Sequence, residues 1–123
     1  MRPGSHDRIP TVSEVVREAT AIADPEGTET AVTALYDSFE DDDRPATAAE
    51  DLAGELLETV QAVDPEGDEP AAWAAAAAAV WLATNPSQVG NGDHVLREGV
   101  RLVFDGKPPG PLAEWLAEQG IRV

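Results

Sequence analysis

Apolar residues recur along this chain at steps of three and four, the spacing of helices that bury one face. Val12, Val15, Val16, Ala19, Ile22 and Ala23 make the first stripe. Thr11-Val12-Ser13-Glu14 stands at its head as a capping box, in which a hydroxyl and a carboxylate satisfy N–H groups that have no partner inside the helix. Asp24-Pro25 ends it, because proline disfavours a helical conformation in the residue before it. Asp24-Pro25-Glu26-Gly27 has the residue order of a type I turn, and Thr28 is placed to cap a second helix with Val32, Leu35, Tyr36 and Phe39 inward. That helix runs out in Glu40-Asp41-Asp42-Asp43-Arg44-Pro45. Acids at a helix C-terminus oppose its dipole, so a frayed end is expected.

Thr47-Ala48-Ala49-Glu50 is a second capping box. The stripe after it, Ala49, Leu52, Ala53, Leu56, Leu57, Val60 and Val63, is the best amphipathic helix of the chain. It ends at Asp64-Pro65-Glu66-Gly67. Asp68 is the expected cap of a fourth helix, with Pro70 in the first turn, where a missing N–H does no harm. From Ala71 to Ala83 this helix has no polar face. A helix apolar on every side is surrounded by protein, so it is expected at the centre, with Trp73, Val80 and Trp81 supplying bulk. A loop of Gly and Asn follows Asn85-Pro86. A fifth helix spans about Asp93 to Phe104, with Leu96, Gly99, Val100 and Val103 inward and Gly106 as its C-cap. Lys107-Pro108-Pro109-Gly110 is a stiff connection to a last helix starting at Pro111 and carrying Leu112, Trp115 and Leu116. Gly120 and Ile121 fit a Schellman ending, with Ile121 folded back on Leu116.

No segment alternates as a strand does. The fold class is therefore all-α: a compact bundle of about six short helices, in three αα-hairpins, around a central Ala/Trp-rich helix. Residues 1–10 carry no stripe and are expected to be a flexible N-terminal tail, leaving 11–123 as a single domain.

One internal repeat is present. Asp-Pro-Glu-Gly at 24–27 returns at 64–67, and Glu29 and Glu69 match as well. A helix-pair period near 40 resembles that of HEAT-like solenoids. The likeness stops at the turns: the second helix carries Phe and Tyr where the fourth carries alanine, and two copies are fewer than the three or more a solenoid needs. In an up-and-down bundle the turns after the first, third and fifth helices fall at one end. That end would gather Asp24, Glu26, Glu29, Asp64, Glu66, Asp68 and Glu69 into an acidic pole, relieved only by Lys107.

Charge makes that pole worth weighing. The 123 residues include 24 Asp and Glu against 8 Lys and Arg, a formal net charge of −16. So negative a surface repels phosphate backbones and anionic lipid, which argues against nucleic-acid and membrane binding and in favour of a basic protein partner. Solvation alone is the plainer account of the charge. Cysteine is absent, which removes disulfides, thiol chemistry and Cys-based zinc sites. The segment Met1 to Pro10 lacks the apolar core of a signal peptide, and the 13-residue run Ala71 to Ala83 is shorter than the roughly 20 residues that span a bilayer. A cytoplasmic protein is the expectation.

Candidate chemistry is sparse. Asp41-Asp42-Asp43 could gather a hard cation but lacks the calcium-loop spacing. His94 and Glu98, four apart on one helical face, form a pair of the kind that binds metal or moves protons. Glu55 and Glu58, in Ala49-Glu50-Asp51-Leu52-Ala53-Gly54-Glu55-Leu56-Leu57-Glu58, look like the first acidic motif of the all-α nucleotide pyrophosphohydrolases, whose Glu-x-x-Glu holds Mg²⁺. That family also needs a second acidic motif on the next helix, where this chain has alanine, valine and tryptophan. Trp73, Trp81 and Trp115 are core residues by their spacing, or the lining of an apolar pocket.

The sequence therefore leads to a non-catalytic protein-interaction module, with no cofactor and no catalytic set. One alternative is an inhibitor of the immunity-protein or antitoxin kind, which presents carboxylates to a basic partner. A second is a metal-dependent enzyme using Glu55, Glu58, His94 and Glu98. A homodimer is a further expectation, because an all-apolar helix is hard to cover in so small a domain, and the Trp115 helix is a second face two copies could share.

Overall fold

A computed structural model describes residues 10–46, 51–85 and 92–121. They form six helices: α1 (Val12–Ala23), α2 (Thr30–Phe39), α3 (Leu52–Val63), α4 (Pro70–Thr84), α5 (Gly92–Phe104) and α6 (Gly110–Glu118). Among the described residues there is no strand, and the one β-bridge is an isolated pairing of Thr11 with Pro45. The fold is an all-α bundle.

Helix α4 is its axis. Ala71, Ala72 and Ala74 through Ala79 are buried, as are Leu82 and Ala83. Every other helix packs on α4, with α5 and α1 making the broadest contacts. Alanine makes this possible: a methyl-sided rod lets neighbours approach almost to backbone distance. One such close approach is at Gly99 of α5, where an added Cβ would stand 2.5 Å from the Ala77 carbonyl oxygen. Trp73, Val80 and Trp81, half-buried, fill the periphery. Within one chain, every residue from Ala71 to Ala83 except these three is buried.

The bulky part of the core comes from the amphipathic helices. Val12, Val16, Leu35, Leu56, Val60, Val95 and Val100 are among its fully buried side chains. Val103, expected inward, is only partly buried and packs against the edge of the core. Helices α1 and α2 pack directly on each other, as do α3 and α4. The third pair is looser. Pro109 is extended (φ −55°, ψ 152°), and α6 crosses to pack on α4 through Leu112 and Leu116 rather than lying along α5.

Several local expectations hold in atomic detail. The Thr11 hydroxyl accepts from Glu14 N–H at 3.2 Å while the Glu14 carboxylate accepts from Thr11 N–H at 2.9 Å, the reciprocal capping box. At the end of α6, Gly120 N–H donates to Ala117 O and Ile121 N–H to Leu116 O, the Schellman pair, with Gly120 at φ +77° and Ile121 buried. Gly106 has φ +76°, and Asp105 before it joins it in the left-handed region at +54°.

Two expectations are corrected. The acidic C-terminal end of α2 is tied down rather than frayed: Ser13 N–H donates to Asp42 O, Val12 N–H to Arg44 O, and Ser13 Oγ to Glu40 O. The first-turn N–H groups of α1 need acceptors, and this loop supplies its carbonyls. Beside this loop, Pro10 O accepts from Ala46 N–H. Thr28 and Asp68 do not cap their helices; the residues before α2 and α4 are Glu29 and Glu69, neither with a side-chain cap of its own. The rest of the tail, the Thr47–Glu50 capping box and the loop after Asn85 lie outside the described residues, apart from Gly92 at the start of α5.

Candidate functional site

The caps that Thr28 and Asp68 do not provide come from farther back. Asp24 leaves α1 at φ −140°, ψ 70°, and its two carboxylate oxygens accept from Thr28 N–H (3.2 Å) and Glu29 N–H (2.9 Å). Asp64 leaves α3 at φ −143°, ψ 65°, and accepts from Asp68 N–H and Glu69 N–H, both at 2.9 Å. Gly27 and Gly67 both sit in the left-handed region, at φ +68° and +73°, and each donates its N–H back to the aspartate carbonyl at 3.1 Å. The proline stiffens the turn, the glycine reverses it, and the aspartate absorbs the N–H groups ahead of the next helix. The repeated sequence is one structural device used twice.

The two copies are neighbours. Glu69 Oε1 accepts from Ala31 N–H at 2.9 Å, so the second turn caps the helix that follows the first. The α5–α6 connection lies at the same end: Pro109 and Pro111 share a cleft with Pro65, Pro70 and Trp73. All seven residues of the expected pole therefore come to one end, and they divide into two groups. Asp24, Asp64 and Glu69 are occupied in holding helix N-termini. Asp64, the one buried charged residue among those described, also accepts from Trp73 Nε1 at 3.0 Å. Glu26, Glu66 and Asp68 are exposed, and Glu29 is half-exposed. Among the described residues, no lysine, arginine or histidine pairs with any of the seven.

Two clefts open at this end. The first turn borders one of about 310 Å³, lined by Asp24, Glu26, Val32 and Tyr36 and by Arg17 of α1. Sequence reasoning missed Arg17 here; its place two turns before Asp24 on α1 was the available signal. The second turn borders a cleft of about 250 Å³, in which Trp73 and four prolines surround Glu66. Trp73 is thus both core and pocket lining.

The other candidates are engaged elsewhere. Arg44 joins Asp42 (Nη2 to Oδ2, 2.6 Å) to Glu55 (Nη2 to Oε1, 2.7 Å), beside an open groove that Glu58 also lines. The hydrogen bonds from Arg44 hold the Asp42 carboxyl below the usual aspartate range and push the guanidinium higher still. The unfolded chain takes up that proton first, so this contribution is present above about pH 4 and fades as pH falls through the lower folded value. Glu98 pairs with Arg101 (3.3 Å) and Arg97 (3.6 Å), while His94 Nδ1 lies 3.3 Å from Arg97 Nη2 and its ring stands edge-on to Trp81. Helices α3 and α5 both pack on α4 rather than on each other, so Glu55 and Glu58 do not meet His94 and Glu98. Among the described residues no three His, Asp or Glu side chains are grouped to hold a metal ion, and no helix is long and apolar enough to cross a membrane. No family model, no curated protein and no solved structure matches this chain.

Proposed function

We propose that this chain is a non-catalytic interaction module that receives a basic polypeptide at the pole formed by its three turns. The observation that carries this reading is the division of labour among the seven acids. Three are consumed by the fold, while Glu26, Glu66 and Asp68 stand exposed at the same end and, among the described residues, form no ion pair, although Arg17 lines the cleft that Glu26 borders. Carboxylates held in place by a rigid turn, and not already neutralised, raise the local concentration of a cationic partner and orient it. The net charge of −16 extends that attraction over the whole molecule, and the pole gives it an address.

The test is a calorimetric titration of an arginine-rich peptide into the full chain at low and high ionic strength. Binding should weaken steeply with salt. Replacing Glu26, Glu66 and Asp68 together by their amides should weaken it about tenfold at low salt, a sum of three rim contacts. The same neutralisation of Asp41, Asp43 and Glu58, away from the turns, should leave it nearly unchanged. Equal losses from the two sets would mean that net charge alone attracts the peptide, and the pole reading would be withdrawn.

A further inference from the structure

The cleft beside the second turn has a donor and acceptor inventory that selects its occupant. Pro65, Pro70, Pro109 and Pro111 line it, and proline has no backbone N–H to offer. Trp73 contributes its ring, but the indole N–H, its only donor, is already given to Asp64 at 3.0 Å. Glu66 is the sole charged lining residue and is an acceptor when ionised. The walls therefore provide a π surface, apolar ring edges and one carboxylate, with no side-chain donor. An anion would meet Glu66 and a molecule of charge −16. A neutral apolar ligand would make no use of the Glu66 carboxylate at the rim. The complement is a flat, donor-rich cation with an aliphatic stem.

At about 250 Å³ the cleft lies below the range of about 300–1,000 Å³ typical of drug-sized ligands, and suits one side chain. The first cleft makes the contrast, since Arg17 of the chain itself lines it. We infer that the Trp73 cleft takes a single arginine side chain of the basic polypeptide, its guanidinium stacked on the indole and hydrogen-bonded to Glu66. Arginine fits better than lysine because its planar head stacks on aromatic faces and is less strongly hydrated. The Asp64 carboxylate behind the ring fixes its orientation and, by accepting from the indole N–H, leaves the π face more electron-rich. This deepens the pole reading and stands on it.

The experiment is a proton-detected NMR titration of the unaltered full chain with a blocked tri-arginine peptide, and in parallel with its tri-citrulline counterpart, which keeps the shape and loses the charge. The arginine peptide should shift the Trp73 ring resonances and give nuclear Overhauser contacts from its δ-methylene protons to that ring. The citrulline peptide should do neither. Glu66→Gln, a surface change that leaves the turn intact, should weaken arginine binding about three- to tenfold. Trp73→Leu should do the same if it folds, and the measurement on the unaltered chain does not depend on it. If tri-arginine binds with the expected salt dependence while Trp73 stays unshifted, the arginine cleft is overturned and the pole reading survives. If tri-arginine does not bind at all, both fall.

Discussion

The two Asp-Pro-Glu-Gly turns have nearly the same backbone and very different surroundings. In both, the aspartate accepts two N–H groups and the glycine takes a left-handed conformation. At the position that follows by six residues, the first copy has Thr33, whose hydroxyl donates to Glu29 O, whereas the second has Trp73, whose indole reaches Asp64. Asp24 stays half-exposed and Asp64 is 5% exposed. Glu69 crosses to the neighbouring hairpin, and no such reach is made by Glu29. The comparison teaches that local sequence sets the turn, while one residue on the helix beyond decides whether the turn is a surface connection or part of the core.

Substitution can break that comparison. The largest difference is expected at the aspartates. Asp64→Ala strands two backbone donors and an indole N–H in a buried place and should cost about 3 kcal/mol, against about 1 kcal/mol for Asp24→Ala, by urea denaturation. Equal losses would show that burial and the tryptophan contribute nothing to the second turn. The glycines should behave alike. An added Cβ at Gly27 or Gly67 meets nothing within 4 Å, so each change to alanine reports backbone strain alone, about 1 kcal/mol apiece. A clear inequality would mean that the two turns are not one device. The glutamates complete the series: Glu69→Ala should remove about 0.8 kcal/mol with the Ala31 cap, while Glu29→Ala stays within about 0.3 kcal/mol of the parent.

Much of this was legible in the sequence, and the pattern of what was not is physical. Capping boxes, proline stops and glycine caps act within four or five residues, so Thr11 with Glu14, or Gly120 with Ile121, can be read directly. The centrality of α4 was readable because an all-apolar helix leaves only one environment open to it. The gathering of the seven acids followed from the up-and-down alternation. Their use did not. That Asp24 and Asp64, not Thr28 and Asp68, absorb the helix N-termini depends on turn geometry that several residue orders could satisfy. Glu69 to Ala31, Trp73 to Asp64 and Arg44 to Glu55 join positions that only the finished fold brings together. Arg44 also explains why the acidic stretch after α2 is held. Its guanidinium bridges two carboxylates, and the loop carbonyls that accept from α1 do the rest.

The alanine surface of α4 has a consequence for how the bundle finds its alignment. A shaft with methyl groups on nearly every side offers few ridges to stop a neighbouring helix from sliding or rotating along it. Gly99 is a notch where α5 seats against the peptide group of Ala77, because any side chain there would be blocked. Trp73 and Trp81, toward the two ends of the shaft, are its large side chains and pack against the core from its edge. In such a design, phasing between helices is stored in one missing side chain and two large ones. The long smooth stretch between them can then be closely packed without having to encode position.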